Sequence, residues 1–121
     1  MDTNEKLTAA NIRYLLTMKA FAAADQTIRN STLADHFHYK KSSIHAMLKH
    51  LAAAGMIEKD ESNIIRLTEK GADTADRYQA YYSAVDTVIN QGFPDFQHRE
   101  NAILAFLAEI PERDLRRLVQ Q

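Results

Sequence analysis

The sequence contains no cysteine and no tryptophan, and only 3 glycines and 2 prolines among its 121 residues. The absence of cysteine excludes disulfide frameworks, cysteine-ligated zinc sites and thiol nucleophiles. So few turn-forming residues argue against an all-β protein. The longest nearly apolar stretch, residues 102–108, is far too short to cross a bilayer. Because the polar first residues also contain no signal-peptide core, we expect a helical, cytoplasmic protein that does not bind membranes.

The residues that are present suffice for a packed core, since 45% are hydrophobic and 26% are charged. The net charge is −1, but the charges are unevenly distributed. No acidic residue lies between Asp35 and Glu58, whereas this stretch contains three lysines and four histidines. A local basic stripe on a nearly neutral protein is typical of a modest DNA-binding surface. The alternative is a solvated helix face that lacks acids by chance.

Apolar residues at helical spacing predict three helices in the first half of the chain. The first extends from Thr8, as N-cap, to about Ala24, and the second covers residues 32–37 after a cap at Ser31. A short extended segment at residues 28–29 separates these two helices. The third helix covers residues 41–54 and ends before Gly55, where a glycine commonly follows a helix.

The pattern changes after Gly55. Residues 56–59 and 64–67 read as two short strands joined by a polar turn. A long helix is predicted from residue 68 to about residue 91, and another from a cap at Asp95 to Ile110. Pro111 then precedes a last short helix.

This order predicts a mainly α fold with a small β-hairpin wing. We expect a winged helix-turn-helix DNA-binding domain in residues 1–71 and a helical dimerisation region in residues 72–121. The later helices carry apolar stripes without an obvious core of their own, which favours an interface with a second copy. A small-molecule pocket is the alternative for their aromatic residues. The predicted dimerisation residues are Tyr78, Tyr82, Val85, Ile89, Ile103, Phe106 and Leu107.

The third predicted helix is the candidate DNA-contacting element. If its apolar residues at 44, 48 and 51 are buried, its basic and small residues face outward, where an α-helix fits the major groove. The alternatives are an ordinary amphipathic helix and a wing whose charges only favour solubility. The predicted DNA-binding residues are Lys40, Lys41, Ser42, Ser43, His45, Ala46 and Lys49 around this helix, Arg29, Ser31 and Thr32 at the preceding helix, and Asn63 and Arg66 on the wing.

Neither a metal site nor an enzyme active site is expected from the residues themselves. The histidines at 36, 38, 45 and 50 lack the i, i+4 spacing of a helical metal site, and no carboxylate lies among them. Ser42, Ser43 and His45 share one helix without an aspartate to orient the imidazole. We therefore expect no catalytic residue and no cofactor.

Four segments carry a family resemblance: residues 28–37 (IRNSTLADHF), residues 41–51 (KSSIHAMLKHL), residues 54–57 (AGMI) and residues 67–71 (LTEKG). Together they resemble the diphtheria toxin repressor and manganese transport regulator family (DtxR/MntR). The short wing and the direct passage from LTEKG into a long helix favour this family over the similar MarR regulators. The resemblance implies a homodimeric repressor whose affinity for double-stranded DNA is raised by Mn²⁺ or Fe²⁺.

The metal site that the resemblance implies has poor ligands in this chain. The expected ligand positions hold Arg13, Leu16, Tyr82, Asn101, Leu104 and Ala105. Divalent ions of this kind need carboxylate or imidazole ligands, so the metal switch is expected to be lost. The leading hypothesis is a dimeric regulator that binds DNA without metal, with an effector or protein partner not identified by the sequence. The alternatives are a metal-dependent repressor with unusual ligands, a MarR-like ligand-responsive regulator and a winged helix that binds proteins.

Overall fold

The computed structural model describes residues 6–120. Within this range the chain forms a two-stranded antiparallel hairpin and six α-helices, followed by a short 3-10 helix at Arg116–Leu118. The predicted fold class, mainly α with a small hairpin, is confirmed. No helix in residues 6–120 combines the length and apolar character that a bilayer crossing requires. The helices are α1 (Ala9–Ala23), α2 (Asn30–Phe37), α3 (Lys41–Ala53), α4 (Glu69–Gly92), α5 (Arg99–Glu109) and α6 (Glu112–Leu115), and the strands are β1 (Ile57–Lys59) and β2 (Ile65–Leu67).

The described chain divides into two compact units. Unit 1 contains residues 6–13 and 76–120, and unit 2 contains residues 14–75. The division passes through α1 and α4, so each of these helices contributes residues to both units. The expected functional boundary between residues 71 and 72 stays a prediction.

Unit 2 contains the α2–α3 pair and the hairpin. His38 adopts a left-handed backbone conformation with φ 61°, which ends α2 and turns the chain towards α3. The two strands pair antiparallel, with Glu58 opposite Arg66. The predicted extended segment lies beside β2, since the Ile65 N–H donates to the Ile28 carbonyl at 2.8 Å. The buried apolar side chains of this unit include Leu15, Met18, Leu33, Ile44, Leu48, Leu51 and Ile65.

Thr68 and Gly71 join the hairpin to α4. The Thr68 hydroxyl accepts the Gly71 N–H at 3.0 Å, which caps the first turn of the helix. The same hydroxyl donates to the Gly55 carbonyl at 2.6 Å. Gly71 leaves room for the Met56 carbonyl, because a Cβ at position 71 would lie only 1.9 Å from that oxygen. The motif therefore fixes where α4 begins relative to the end of α3.

Unit 1 begins with a reciprocal cap and has its own apolar core. The Thr8 hydroxyl accepts the Asn11 N–H and the Asn11 side chain accepts the Thr8 N–H, both at 3.0 Å. This confirms the predicted start of the first helix. The expectation that the later helices lack a core was wrong, because many of their apolar side chains are buried within the single chain. The buried side chains are Tyr78, Tyr81, Val85, Ile103, Leu104, Leu107 and Leu115.

Two predicted helix starts were wrong. α2 begins at Asn30 rather than after Ser31, because the Thr32 hydroxyl accepts the Arg29 N–H at 3.1 Å and serves the first turn. α5 begins at Arg99 rather than after Asp95. Residues 93–98 instead form turns after α4.

Candidate nucleic-acid interface

The outer face of α3 is exposed and free of acidic residues. Ile44, Leu48 and Leu51 are at most 3% exposed, so they fix which face of the helix meets the core of unit 2. Lys41, Ser42, Ser43, His45, Ala46 and Lys49 are all exposed on the other side. Positions 41, 45 and 49 are four residues apart and form one stripe along the helix. The amphipathic pattern predicted this arrangement.

The two ends of α3 differ in how their backbone groups are satisfied. Lys40 occupies the N-cap position with extended backbone and gives no side-chain cap, so the first N–H groups of the helix have no capping side chain. Such N–H groups attract anions. At the other end, the Lys70 ammonium donates to the Ala54 carbonyl at 2.8 Å, and Gly55 has a φ of 77°. Lys70 thus satisfies a C-terminal carbonyl of α3, a role that the sequence pattern did not predict.

The predicted DNA-binding residues of α2 lie at its N-terminus. Arg29 and Ser31 are exposed there, whereas Thr32 is half-buried. The Thr32 hydroxyl already accepts the Arg29 N–H and lies 3.5 Å from the Thr27 carbonyl oxygen. Thr32 therefore has a structural role at the helix start. Arg29 and Ser31 remain the accessible polar side chains.

The Asp60 carboxylate holds the turn of the wing through hydrogen bonds and an ion pair, which the sequence analysis did not predict. Asp60 accepts the N–H groups of Ser62 at 2.8 Å and Ile64 at 3.0 Å, and it pairs with Arg66 at 2.8 Å. The hydrogen bond from Arg66, with the backbone hydrogen bonds, lowers the pKa of the Asp60 carboxyl. Because Arg66 is paired with Asp60, its positive charge is partly neutralised before any anionic ligand binds. An aspartate at the start of a polar turn is the sequence signal for a turn whose N–H groups bond to that side chain.

The opposite end of the same turn places Asn63 at the tip of the wing. Asn63 is exposed and left-handed, with a φ of 64°, a conformation that asparagine tolerates better than most residues. Its N–H donates to the Asp60 carbonyl at 3.0 Å, which closes the turn. Asn63 is therefore presented by a hydrogen-bonded loop.

Tyr39 is a second residue that the sequence analysis did not single out. It lies between α2 and α3, is 47% exposed, and stacks on Phe37 with ring centroids 5.3 Å apart. Phe37 in turn contacts Tyr14 at 4.8 Å. A row of rings therefore holds the exposed tyrosine next to Lys40, at the start of α3.

The predicted dimerisation residues do not share one environment. Four of them, Tyr78, Val85, Ile103 and Leu107, are buried inside the single chain and contribute to its own core. Tyr82 and Ile89 are half-buried, and Phe106 is 44% exposed. Tyr81 takes the inward place expected for Tyr82, and its hydroxyl donates to Glu112 at 2.9 Å. Among the seven, Phe106 is the residue best exposed to a partner.

The residues at the implied metal positions do not fit a divalent ion. Residues 6–120 contain no group of three or more histidines, aspartates or glutamates placed to hold a metal. Arg13 forms an ion pair with Glu100 at 3.1 Å, and its second terminal nitrogen donates to Asn101 at 2.7 Å. Leu16 and Leu104 have no donor atoms. The six implied positions thus hold one cation, a phenol, an amide and three apolar side chains, and none of them is a carboxylate or an imidazole.

Comparison with known proteins identifies the architecture. The family model for the IclR helix-turn-helix domain matches residues 13–61, which include α2, α3 and β1. Over 96% of this chain and 54% of that chain, the structure matches IdeR of T. acidophilum with a TM-score of 0.70 at 17% identity. The protein is a winged helix. The winged helix also matches the manganese regulator SloR, with a TM-score of 0.70 at 18% identity over 88% of this chain and 50% of that chain.

A third similar winged helix is the adhesin competence repressor of Streptococcus pyogenes, with a TM-score of 0.58 at 20% identity over 91% of this chain and 81% of that chain. The resemblance to metal-dependent regulators is thus confirmed at the level of the fold. This winged-helix chain spans about half the length of IdeR and SloR. No curated protein matches its sequence.

Proposed function

We propose that the protein is a DNA-binding transcription regulator, a repressor, that places the outer face of α3 in the major groove. The observation that carries this proposal is the acid-free, exposed face of α3, on which Lys41 and Lys49 flank His45 and small residues. A helix fits the major groove, where lysine and serine side chains reach base edges and phosphates. Ala46 has no long side chain to hold the helix away from the bases.

The surrounding residues supply phosphate contacts in this proposal. The uncapped N–H groups at the start of α3 and the exposed side chains of Arg29 and Ser31 suit the DNA backbone. Lys40 adds a charge beside them, and Tyr39 offers an exposed hydroxyl. The wing has a smaller share, since Arg66 is paired with Asp60.

The regulator is proposed to act as a homodimer and without a metal. Winged-helix regulators that bind two half-sites need two copies, and unit 1 presents exposed apolar side chains at Phe93 and Phe106. Metal independence is supported by the ion pair that Arg13 forms with Glu100. Residues 1–71 would then supply DNA contacts and residues 72–121 the dimer contacts.

The test is a selection from a random duplex pool at moderate salt, performed in EDTA and again with Mn²⁺. An enriched palindrome in EDTA is the expected result. Enrichment only with Mn²⁺ would contradict metal independence. No enrichment under either condition would contradict DNA binding and would favour the protein-binding alternative.

Charge-reversal variants then test whether α3 provides the surface that contacts DNA. Lys41→Glu and Lys49→Glu are each expected to weaken binding of the selected duplex roughly tenfold or more, because each replaces a phosphate contact with repulsion. Each is also expected to reduce the slope of log affinity against log salt by about 1. The matched control is Lys6→Glu, which makes the same charge change at an exposed lysine that does not belong to the unit containing α3. An equal loss in the control would show a general electrostatic effect and not a surface on α3.

A further inference from the structure

In unit 1, the guanidinium of one arginine is hydrogen-bonded to side chains of another helix of the same unit. Arg13, on the first half of α1, donates from one terminal nitrogen to the Glu100 carboxylate and from the other to the Asn101 amide oxygen. These two acceptors are neighbours in the first turn of α5. The Arg13 side chain is 25% exposed and its partner Glu100 is 60% exposed, so the pair is open to water on the carboxylate side. One guanidinium thus links α1 to α5.

A guanidinium is chemically opposed to a metal ion at the same place. It carries a permanent positive charge and five N–H donors, and it has no lone pair with which to bind a cation. A second arginine of this region, Arg99, pairs with Asp86 at 2.9 Å and donates to Asn90 at 2.9 Å. Both carboxylates are therefore already neutralised by arginine. A divalent ion at either carboxylate would compete with an arginine that is already paired to it.

Tyr82 lies among the same charges. Burial first, and then the negative charges of Glu100 and Asp86, raise the pKa of its phenol, while Arg99 and Arg13 act in the opposite direction. A tyrosine phenol is already neutral at neutral pH and is then a poor ligand for a divalent ion, and the raised pKa favours that neutral form further. The positive charges of the two arginines therefore offset the negative charges of the two carboxylates around Tyr82.

We infer that the Arg13 guanidinium acts as a built-in cation that takes the place of a divalent metal in joining α1 to α5. The folded state of unit 1 is therefore independent of metal supply. The inference concerns unit 1 and rests on the metal independence of the proposed function. It does not rest on DNA binding, so a selection that enriches no duplex leaves it standing.

The experiment measures thermal unfolding of the full chain in EDTA and in excess Mn²⁺. The wild-type Tm is expected to be the same in both. Arg13→Leu is expected to lower the Tm by roughly 1–4 °C, because a partly exposed ion pair and a hydrogen bond to Asn101 are lost, and Mn²⁺ is expected to have no effect on it.

The deciding variant is Arg13→Glu. It places a carboxylate beside Glu100 and the Asn101 amide oxygen, so the Tm in EDTA is expected to fall at least as far as for Arg13→Leu. Because two carboxylates and an amide oxygen form a ligand set that Mn²⁺ accepts, added Mn²⁺ is expected to restore part of the loss. Arg117→Glu, a charge reversal at an exposed arginine of the 3-10 helix, is the matched control and is expected to show no Mn²⁺ response.

Three results would overturn the inference. The first is a wild-type Tm that rises with Mn²⁺ and falls in EDTA. The second is an unchanged Tm for Arg13→Leu. The third is an Arg13→Glu variant without a Mn²⁺ response, which would reduce the Arg13 contacts to an ordinary ion pair. If Arg13→Glu does not fold in either buffer, the wild-type titration and Arg13→Leu still decide.

Discussion

At the scale of single residues, Gly71 is the glycine with the least space for a side chain. Its missing side chain is what allows the Met56 carbonyl to approach α4, and Thr68 beside it bonds to both sides of the junction. The sequence shows the motif, but its reason is the close approach of two backbone segments that are distant in the chain. A pattern of residue types does not contain that distance.

Gly71→Ala is expected to destabilise the protein by about 1–3 kcal/mol or more, because the added methyl group would overlap the Met56 carbonyl oxygen. Urea unfolding monitored by circular dichroism measures the loss. Gly92→Ala is the matched control, since a Cβ there meets nothing within 4 Å and alanine favours the helix. Equal stabilities of the two variants would contradict the close approach.

Glu112 is a second residue with a measurable role. It accepts the Arg77 guanidinium at 2.6 Å and the Tyr81 hydroxyl at 2.9 Å. Partial burial favours its neutral form, but these hydrogen bonds and the charges of Arg77 and Arg116 outweigh burial and lower the pKa of the carboxyl. Burial, and then the negative charge of the same carboxylate, raise the pKa of Tyr78 to about 12.

The lowered pKa predicts an acid-dependent contribution to stability. The contribution is fully present above the ordinary glutamate value of 4.5 and is lost as the pH falls through the lowered value in the folded state. Glu112→Gln is therefore expected to cost about 1 kcal/mol at neutral pH and to flatten the decline of stability below pH 4.5. Unfolding free energies at several acidic pH values test this. Glu109→Gln, at an exposed position of α5, is expected to leave the profile unchanged.

At the scale of elements, α3 and the hairpin follow from the sequence more closely than the other elements do. The apolar residues of α3 recur at spacings of four and three, and Gly55 marks its end, so one pattern fixes both its buried face and its length. The starts of α2 and α5 were predicted less well. Their predicted caps, Ser31 and Asp95, are good capping residues. However, α2 begins one residue earlier, where the Thr32 hydroxyl accepts the Arg29 N–H, and the residues after Asp95 form turns before α5 begins.

The wing offers a prediction about a paired charge. Asp60→Asn keeps an oxygen that accepts the turn N–H groups but removes the charge that holds Arg66. The released guanidinium is expected to raise the affinity for a selected duplex several-fold, with a steeper salt dependence. Fluorescence anisotropy across a salt series measures both. In an Arg66→Ala background the same change at Asp60 is expected to have no effect, and an effect there would mean that Arg66 is not involved.

At the scale of the whole molecule, the sequence predicted the apolar faces of the later helices correctly. It did not predict what covers those faces. Tyr78, Val85, Ile103 and Leu107 were assigned to a partner, yet they are buried within the chain. Apolar residues at helical spacing show that one face of a helix must be covered. They do not show whether the same chain or a second copy covers it. The Arg13 contacts were also beyond the sequence, since its acceptors lie more than eighty positions away.

The apolar side chains left exposed predict the oligomeric state. Val88 is 65% exposed, Phe93 67% and Phe106 44%, all in unit 1. The wild-type chain is expected to sediment as a dimer at micromolar concentration, and Phe106→Lys is expected to shift it towards the monomer by desolvating a charge in the interface. Val119→Lys, an exposed apolar residue near the end of the described chain, is the comparison variant. A wild-type monomer would contradict the homodimer.

The absence of acidic residues from positions 36–57, in a molecule that is nearly neutral overall, has a kinetic consequence. Since the net charge is −1, the molecule has little attraction for DNA beyond a Debye length, which is about 10 Å at 0.1 M salt. A regulator of this kind is expected to spend little time sliding on random duplex, because sliding depends on sequence-independent attraction. Its search for an operator should then proceed mainly through repeated collisions from solution, and its residence on DNA should depend on the base sequence beneath α3.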